Sequence, residues 1–136
     1  MSAEQQLVQL GLTLPPAPSP AGVYKPCYAD GKYLYVADPG GRKTYRYTIN
    51  ADGSLEDRQL FAEQGSDGMA IDNKGNIYLT GNGVTIFNAE GKKIEHIAIP
   101  AKWTANVCFG GKHKNILFIT ASESVYTVQM QVSGAE

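Results

Sequence analysis

From Tyr24 onward the apolar positions fall in short runs of aliphatic and aromatic residues, each set off by a polar turn that carries glycine. Tyr33-Leu34-Tyr35-Val36-Ala37 follows Asp30-Gly31-Lys32, Asn76-Ile77-Tyr78-Leu79-Thr80 follows Asn73-Lys74-Gly75, and Ile116-Leu117-Phe118-Ile119-Thr120 follows Gly110-Gly111-Lys112-His113-Lys114. Short apolar runs bounded in this way predict strands. Tyr35, Tyr78 and Phe118 stand 43 and 40 residues apart, which marks an internal repeat. The repeat includes turn residues as well. Tyr45-Arg46-Tyr47-Thr48-Ile49 leads into Asn50-Ala51-Asp52-Gly53 and then Ser54-Leu55-Glu56, just as Val84-Thr85-Ile86-Phe87 leads into Asn88-Ala89-Glu90-Gly91 and then Lys92-Lys93-Ile94-Glu95. Each Asn-Ala-acid-Gly segment predicts a hairpin turn, with glycine where positive φ is needed.

Each unit therefore holds four strands in an antiparallel meander. The third stops short: Ser124–Met130 is its third strand and no fourth follows. Four such strands recurring at roughly forty residues is the pattern of a propeller blade; a small sandwich or open meander is the alternative. The predicted fold class is all-β, a partial β-propeller of two and a half to three four-stranded antiparallel blades. Ahead of it, residues 3–10 predict a short helix, with Ser2 as N-cap, Gln5 at capping-box spacing, Leu7 and Leu10 on one face, and Gly11 closing it. Residues 11–22 predict an extended arm, because Pro15, Pro16, Pro18 and Pro20 place four prolines in six residues. The chain divides into residues 1–22, helix and Pro-rich arm, and residues 23–136, partial propeller. A terminal blade leaves an apolar face and strand edges exposed, and Leu7, Leu10, Leu12 and Leu14 are expected to cover one such face.

Composition narrows the classes of partner. The chain has 136 residues, enough for one domain, with 43% apolar residues, 18% charged residues and a net charge of -1. Such a chain has no basic field for nucleic acid or an anionic membrane surface. It has no apolar run of the roughly eighteen residues a membrane span needs. Its first residues lack the charged and apolar regions of a secretory signal. Cys27 and Cys108 occur without any CxxC and read as buried free thiols. These features together predict a cytoplasmic setting.

Leu34-Tyr35-Val36-Ala37-Asp38, Ser66-Asp67-Gly68-Met69-Ala70-Ile71-Asp72 and Thr104-Ala105-Asn106-Val107-Cys108-Phe109-Gly110-Gly111 carry a resemblance. With these motifs, residues from about 30 to 133 resemble the C-terminal part of the gluconolactonase/regucalcin family. The resemblance implies the last two to three blades of a six-bladed propeller. It also implies a divalent metal, usually calcium, in the central channel and hydrolysis of sugar lactones and related esters. It assigns Asp67 both metal ligation and the role of general base. A hard cation held by oxygens polarises a lactone carbonyl while a nearby carboxylate takes a proton from water. The family's glutamate from an early blade has no counterpart, and its Pro-Asn-Gly asparagine falls where this chain has Val23 beside Gly22. The resemblance thus implies that at least these two ligands are missing from one chain. By residue type alone, Asp67 also reads as a strand-start cap.

Asn106 and Arg42 are candidate substrate-binding residues. Asn106 begins the equivalent strand of the third unit and reads as a channel-facing or an ordinary strand-end amide. Arg42 follows Asp38-Pro39-Gly40-Gly41, a loop longer than its second-unit counterpart, and reads as a substrate contact or a solvated turn. Asp30, Asp52 and Asp72 read as turn formers, His96 and His113 as solvated, and Trp103 as a packing anchor. Ser122 and Ser124 have no histidine at a suggestive spacing. A second resemblance lies at the front. Leu10-Gly11-Leu12-Thr13-Leu14-Pro15-Pro16-Ala17-Pro18-Ser19-Pro20-Ala21-Gly22-Val23-Tyr24-Lys25-Pro26 is similar to the N-terminus of the RidA/YjgF enamine/imine deaminase family. That family's active-site arginine belongs to a later region without counterpart here. Tyr33-Leu34-Tyr35-Val36 suits both families, so the chain reads as a join at a shared pattern. Two functions are expected from these resemblances. One is a sugar-lactone hydrolase dependent on a divalent metal, its six-bladed ring completed by a homodimer. The other is a non-catalytic partial propeller serving as a structural or interaction module.

Overall fold

The computed structural model of the chain describes residues 3–13 and 27–135. Among them a single helix, α1 (Ala3–Gln9), precedes three antiparallel sheets. The first sheet holds β1 (Cys27–Ala29), β2 (Tyr33–Asp38), β3 (Lys43–Ile49) and β4 (Leu55–Ala62) in that order. The second holds β5 (Met69–Ile71), β6 (Ile77–Gly81), β7 (Gly83–Phe87) and β8 (Lys93–Ile97), and the third β9 (Thr104–Gly110), β10 (Ile116–Ala121) and β11 (Ser124–Gln129). Each sheet is an up-and-down meander with its first strand innermost, so the fold is a partial β-propeller. The third blade has three strands among the described residues, as its sequence predicts.

The turns repeat as the sequence repeats. Asn50 N–H donates to Ser54 O and Gly53 N–H to Asn50 O; Asn88 N–H donates to Lys92 O and Gly91 N–H to Asn88 O, all at 2.9 Å. Gly91 has φ 81°, and its α-carbon faces the Phe61 carbonyl of the preceding blade so closely that a Cβ has no room. The glycine therefore serves the turn and the blade contact together.

Antiparallel partners in a sheet share a face and successive residues alternate. Tyr35 and Ala37 of β2 accordingly point to the second blade, where they join Phe61, Met69, Ile71, Ile77, Leu79 and Phe87 in one buried cluster. The opposite face of the second blade presents Ala70, Tyr78, Val84 and Ile86 to Val107, Leu117 and Ile119 of the third. Edge-to-face ring pairs line both contacts: Tyr35 on Phe61 at 5.1 Å within the first blade, Phe61 on Phe87 at 6.1 Å across to the second, and Tyr78 on Phe109 at 5.1 Å from the second to the third. Arg46 adds a polar tie, donating to Ala89 O in the second blade and to Gln59 Oε1 in its own, both at 2.9 Å.

After β11 the chain doubles back to the inner strand of the second blade. Asn73 N–H donates to Ser133 O at 2.8 Å and Ala135 N–H to Ile71 O at 3.0 Å. Beside this return lies Asp72, which the sequence marks as a turn former. It is one, and it is also buried. Its Oδ1 accepts from Lys74 N–H and Asn76 N–H at 2.9 Å each, and its Oδ2 from Asn76 Nδ2 at 2.8 Å and Tyr78 Oη at 3.0 Å. Burial, and then the Asp72 charge, push the Tyr78 phenol above its usual range, which keeps it a neutral donor.

Three expectations change. Leu10 and Leu12 are exposed, so these two do not cover a blade face; Leu7 is half-buried, and Leu14 and the proline arm lie outside the described residues. Cys27 and Cys108 are free thiols but exposed rather than buried, because each lies on a sheet face that no blade among the described residues covers. Trp103, read as a packing anchor, is half exposed in the connection before β9. No helix among the described residues is long and apolar enough to cross a membrane.

Replacing Asp72 by Ala strands several buried donors at once. The expected loss is on the order of 3 kcal/mol in urea unfolding, with Tyr78→Phe costing clearly less. An Asp72→Ala protein of unchanged midpoint would show that the cluster does not hold the second blade.

Candidate active-site groove

The connection from β4 to β5 carries Ser66-Asp67-Gly68, and a buried hydroxyl network fixes it. Ser66 Oγ donates to Gly68 O and accepts from Thr80 N–H at 2.7 Å. Thr80 Oγ1 accepts from Gly68 N–H at 3.1 Å and lies 3.1 Å from both Gly68 O and Ala105 O, the two carbonyls its own proton can serve. Ser66, Gly68 and Thr80 are all buried. The two residues flanking Asp67 are therefore locked to β6 and to the third blade, while Asp67 itself stays partly exposed. Its Oδ2 accepts from Trp103 Nε1 at 3.1 Å, so the indole holds the carboxylate in place.

At Gly68 the second and third blades approach each other closely. A Cβ there would stand 2.7 Å from the Asn106 α-carbon. Asn106 thus lies against the residue after Asp67, its Oδ1 accepting from Val107 N–H at 2.8 Å. Asn106 also lines a hollow of about 240 Å³ along the inner strands, with Tyr28, Met69, Phe109 and Ala135. Asp67 opens on the other side, into a groove of about 540 Å³ whose polar lining includes Arg42, Glu63, Lys93 and His96. The structure brings Asp67 and Arg42 to one groove and sets Asn106 behind Gly68, on the inner-strand side. Arg42 sits at φ 54° in the turn after β2, its N–H donating to Pro39 O at 3.3 Å.

Glu63, Lys93 and His96 were not legible as groove residues. They come from two blades, and the groove exists only where those blades meet. His96 is exposed, as its sequence context predicts, and its Nδ1 lies 3.4 Å from Thr85 Oγ1.

The donor set tests the implied metal. Among the described residues no three His, Cys, Asp or Glu side chains gather as a metal-holding group. Asp67 Oδ2 and Asn106 Oδ1 each already accept a hydrogen bond from an N–H. Calcium takes about six to eight oxygens, so the described residues of one chain do not fit it.

The family profile of the SMP-30/Gluconolactonase/LRE-like region matches residues 27–123. The chain is 32% identical over 102 residues to the 6-deoxy-6-sulfogluconolactonase of Pseudomonas putida, covering 68% of this chain and 35% of that one. A gluconolactonase of Xanthomonas campestris superposes with a TM-score of 0.67 at 27% identity, covering 85% of this chain and 42% of its own. Regucalcin of Agrobacterium tumefaciens, described as a calcium-binding protein, has the same fold, with a TM-score of 0.68 at 21% identity and coverage of 82% and 45%. The chain spans less than half the length of each relative.

The close approach at Gly68 gives a direct test. Gly68→Ala must push Asn106 away, and overpacking of this kind costs about 1–3 kcal/mol. A lowered urea midpoint is expected; an unchanged midpoint would mean that the second and third blades are not held together there.

Proposed function

The chain belongs to the SMP-30/gluconolactonase/LRE-like family, and we propose that it supplies the Asp67 side of a site that hydrolyses sugar lactones. What carries this reading is the position of Asp67: a half-exposed carboxylate on a turn locked by buried hydroxyls, opening into a groove that also holds Arg42 and Lys93. In lactone hydrolysis water adds to the carbonyl carbon, the ring C–O bond breaks, and the ring oxygen gains a proton. Asp67 acts as the general base that takes the proton from water. Arg42 offers donors to the oxygens of the sugar lactone, whereas Asn106 lies behind Gly68 and outside the lining of this groove.

Asp67 is also the proposed protein ligand for a divalent ion, calcium by analogy with the regucalcin relative. The described residues of one chain do not complete that site, so its remaining oxygens come from further blades. A homodimer whose two three-blade halves make six is the arrangement we propose. Hydrolysis by an isolated half is impaired on this reading. A second reading rests on the blade contacts alone: a partial propeller without chemistry, serving as a structural or interaction module.

Trp103 is the only tryptophan and donates to Asp67, so its emission reports on the site. Titration of the protein with glucono-lactone or with calcium chloride is expected to shift that emission, and Asp67→Ala to abolish the shift. In the assembled protein, Asp67→Ala is expected to lower lactone hydrolysis by about 10²-fold or more, with an unchanged circular dichroism spectrum. Undiminished hydrolysis in that variant would remove Asp67 from the mechanism. No hydrolysis and no emission change in the parent protein would leave the module reading.

A further inference from the structure

The groove beside Asp67 holds two cations that nothing in the protein neutralises, Arg42 and Lys93, one from each of the blades that form it. We propose that they bind an anionic group, so that the lactone taken by this site carries a phosphate, sulfonate or carboxylate away from its carbonyl. The sugar-lactone half of this inference rests on the lactonase reading; the anion half rests on the groove alone.

The strand a side chain comes from decides where it sits in the groove. The second sheet runs from β5, innermost, to β8, outermost. Asp67, just ahead of β5, therefore marks the inner end, and Lys93 and His96 of β8 mark the outer one. Phe87 pairs with Lys93 and Thr85 with His96, and partners in an antiparallel pair share a face. Phe87 is buried in the cluster made with the first blade. Lys93 and His96 thus face the first blade. His96 is also held in place: its Cε1 and Nε2 would each stand 3.2 Å from a Cβ at Gly83, and its Nδ1 lies 3.4 Å from Thr85 Oγ1.

Arg42 comes from the first blade, on the turn between β2 and β3. Its φ of 54° is a left-handed conformation that a non-glycine residue holds at a cost. The Asp38 carboxylate of the same turn accepts from Gly41 N–H at 2.8 Å. Among the described residues the Arg42 and Lys93 side chains have no hydrogen-bond, ion-pair or ring partner. Other cations of the chain are engaged. Arg46 donates to Ala89 O and Gln59 Oε1, and Arg58 lies 5.1 Å from the centre of the Tyr45 ring.

An uncharged lactone would offer these cations only hydroxyl and carbonyl oxygens, which Gln64 and Asn82 of the same groove serve as well. A guanidinium and an ammonium on facing blades suit an oxyanion, which they hold by charge-assisted hydrogen bonds. Glu63, the other acid of the groove, makes no ion pair with either cation. The volume of about 540 Å³ lies in the range of small-molecule sites, about 300–1,000 Å³. The course from inner to outer strand keeps the anion away from Asp67, whose charge would repel it.

Calorimetric titration of the full chain with 6-phosphogluconate and with gluconate tests this, since the two differ only in the phosphate. Binding of 6-phosphogluconate is expected to be tighter by about 10-fold. Lys93→Gln and Arg42→Gln are each expected to lower that preference by about threefold or more, and Lys93→Arg to keep it. Both positions are exposed, so neither change disturbs the core. Lys92→Ala, at an exposed neighbour outside the groove, is expected to leave the preference unchanged. Equal affinity for the two compounds, no binding of either, or an equal loss in Lys92→Ala would overturn the inference. So would inorganic phosphate that binds as tightly as 6-phosphogluconate, because the ion alone would then be recognised. Hydrolysis separates this inference from the reading it rests on. Glucono-lactone and 6-phosphogluconolactone cleaved equally well would sink the anion site and leave the lactonase. Preferential binding of 6-phosphogluconate with neither lactone cleaved would leave the anion site and remove the lactonase.

Discussion

Everything in this molecule depends on burial of one sheet face against the next. A twisted antiparallel sheet of three or four short strands cannot bury both its faces by itself, and in a propeller each blade supplies the cover for its neighbour. Here the cover consists of Tyr35, Phe61 and Phe87 at the first contact and Tyr78 and Phe109 at the second. The rings are placed by strand alternation, which puts every second residue of β2, β6 and β10 on the same side. Because the contact is made by shape and area rather than by ion pairs, it is tolerant in detail. Tyr35 and Tyr78 hold equivalent positions, and each is buried against the blade that follows.

Polar groups then fix what apolar packing leaves loose. The connections between blades must cross from an outer strand to the next inner one, and their backbone groups need partners once buried. Ser66 and Thr80 provide them at the Ser66–Gly68 crossover, and Thr80 reaches Ala105 O of the third blade as well. Asp72 does the same at the opposite end of β5. Asp67, between two fixed residues, is free to present its carboxylate outward. The rigid turn and the exposed acid belong to one device, since a carboxylate is useful for chemistry only if its backbone does not wander.

Much of the fold was legible in the chain. The spacing of Tyr35, Tyr78 and Phe118 and the repeated Asn-Ala-acid-Gly turns located three blades, with strand bounds close to those observed, because alternation and turn chemistry are local properties. The three strands that the last blade holds among the described residues were legible for the same reason. What local patterns could not give was which faces have neighbours. Cys27 and Cys108 look like core thiols by residue type, yet no blade among the described residues covers their faces and they are exposed. Trp103 reads as core by its size; it stands instead in a connection, with its indole N–H on Asp67. The groove beside Asp67 was half legible. Arg42 and Asp67 come from turns whose sequence sets them apart, whereas Lys93 and His96 reach it from an outer strand through the packing of blades far apart in sequence.

The inner strands β1, β5 and β9 stand side by side, so residues that approach one another there arrive on different blades. Among the described residues, the turn before β5 gives one firmly placed carboxylate, Asp67, and the start of β9 gives an amide, Asn106, on the other side of Gly68. Phe118 and Val36 lie on faces that no described blade covers, and Phe118 is 36% exposed. Apolar surface left in water carries a cost that burial against another surface removes. The second blade provides that burial for Tyr35 and the third for Tyr78, which is why each blade depends on its neighbour.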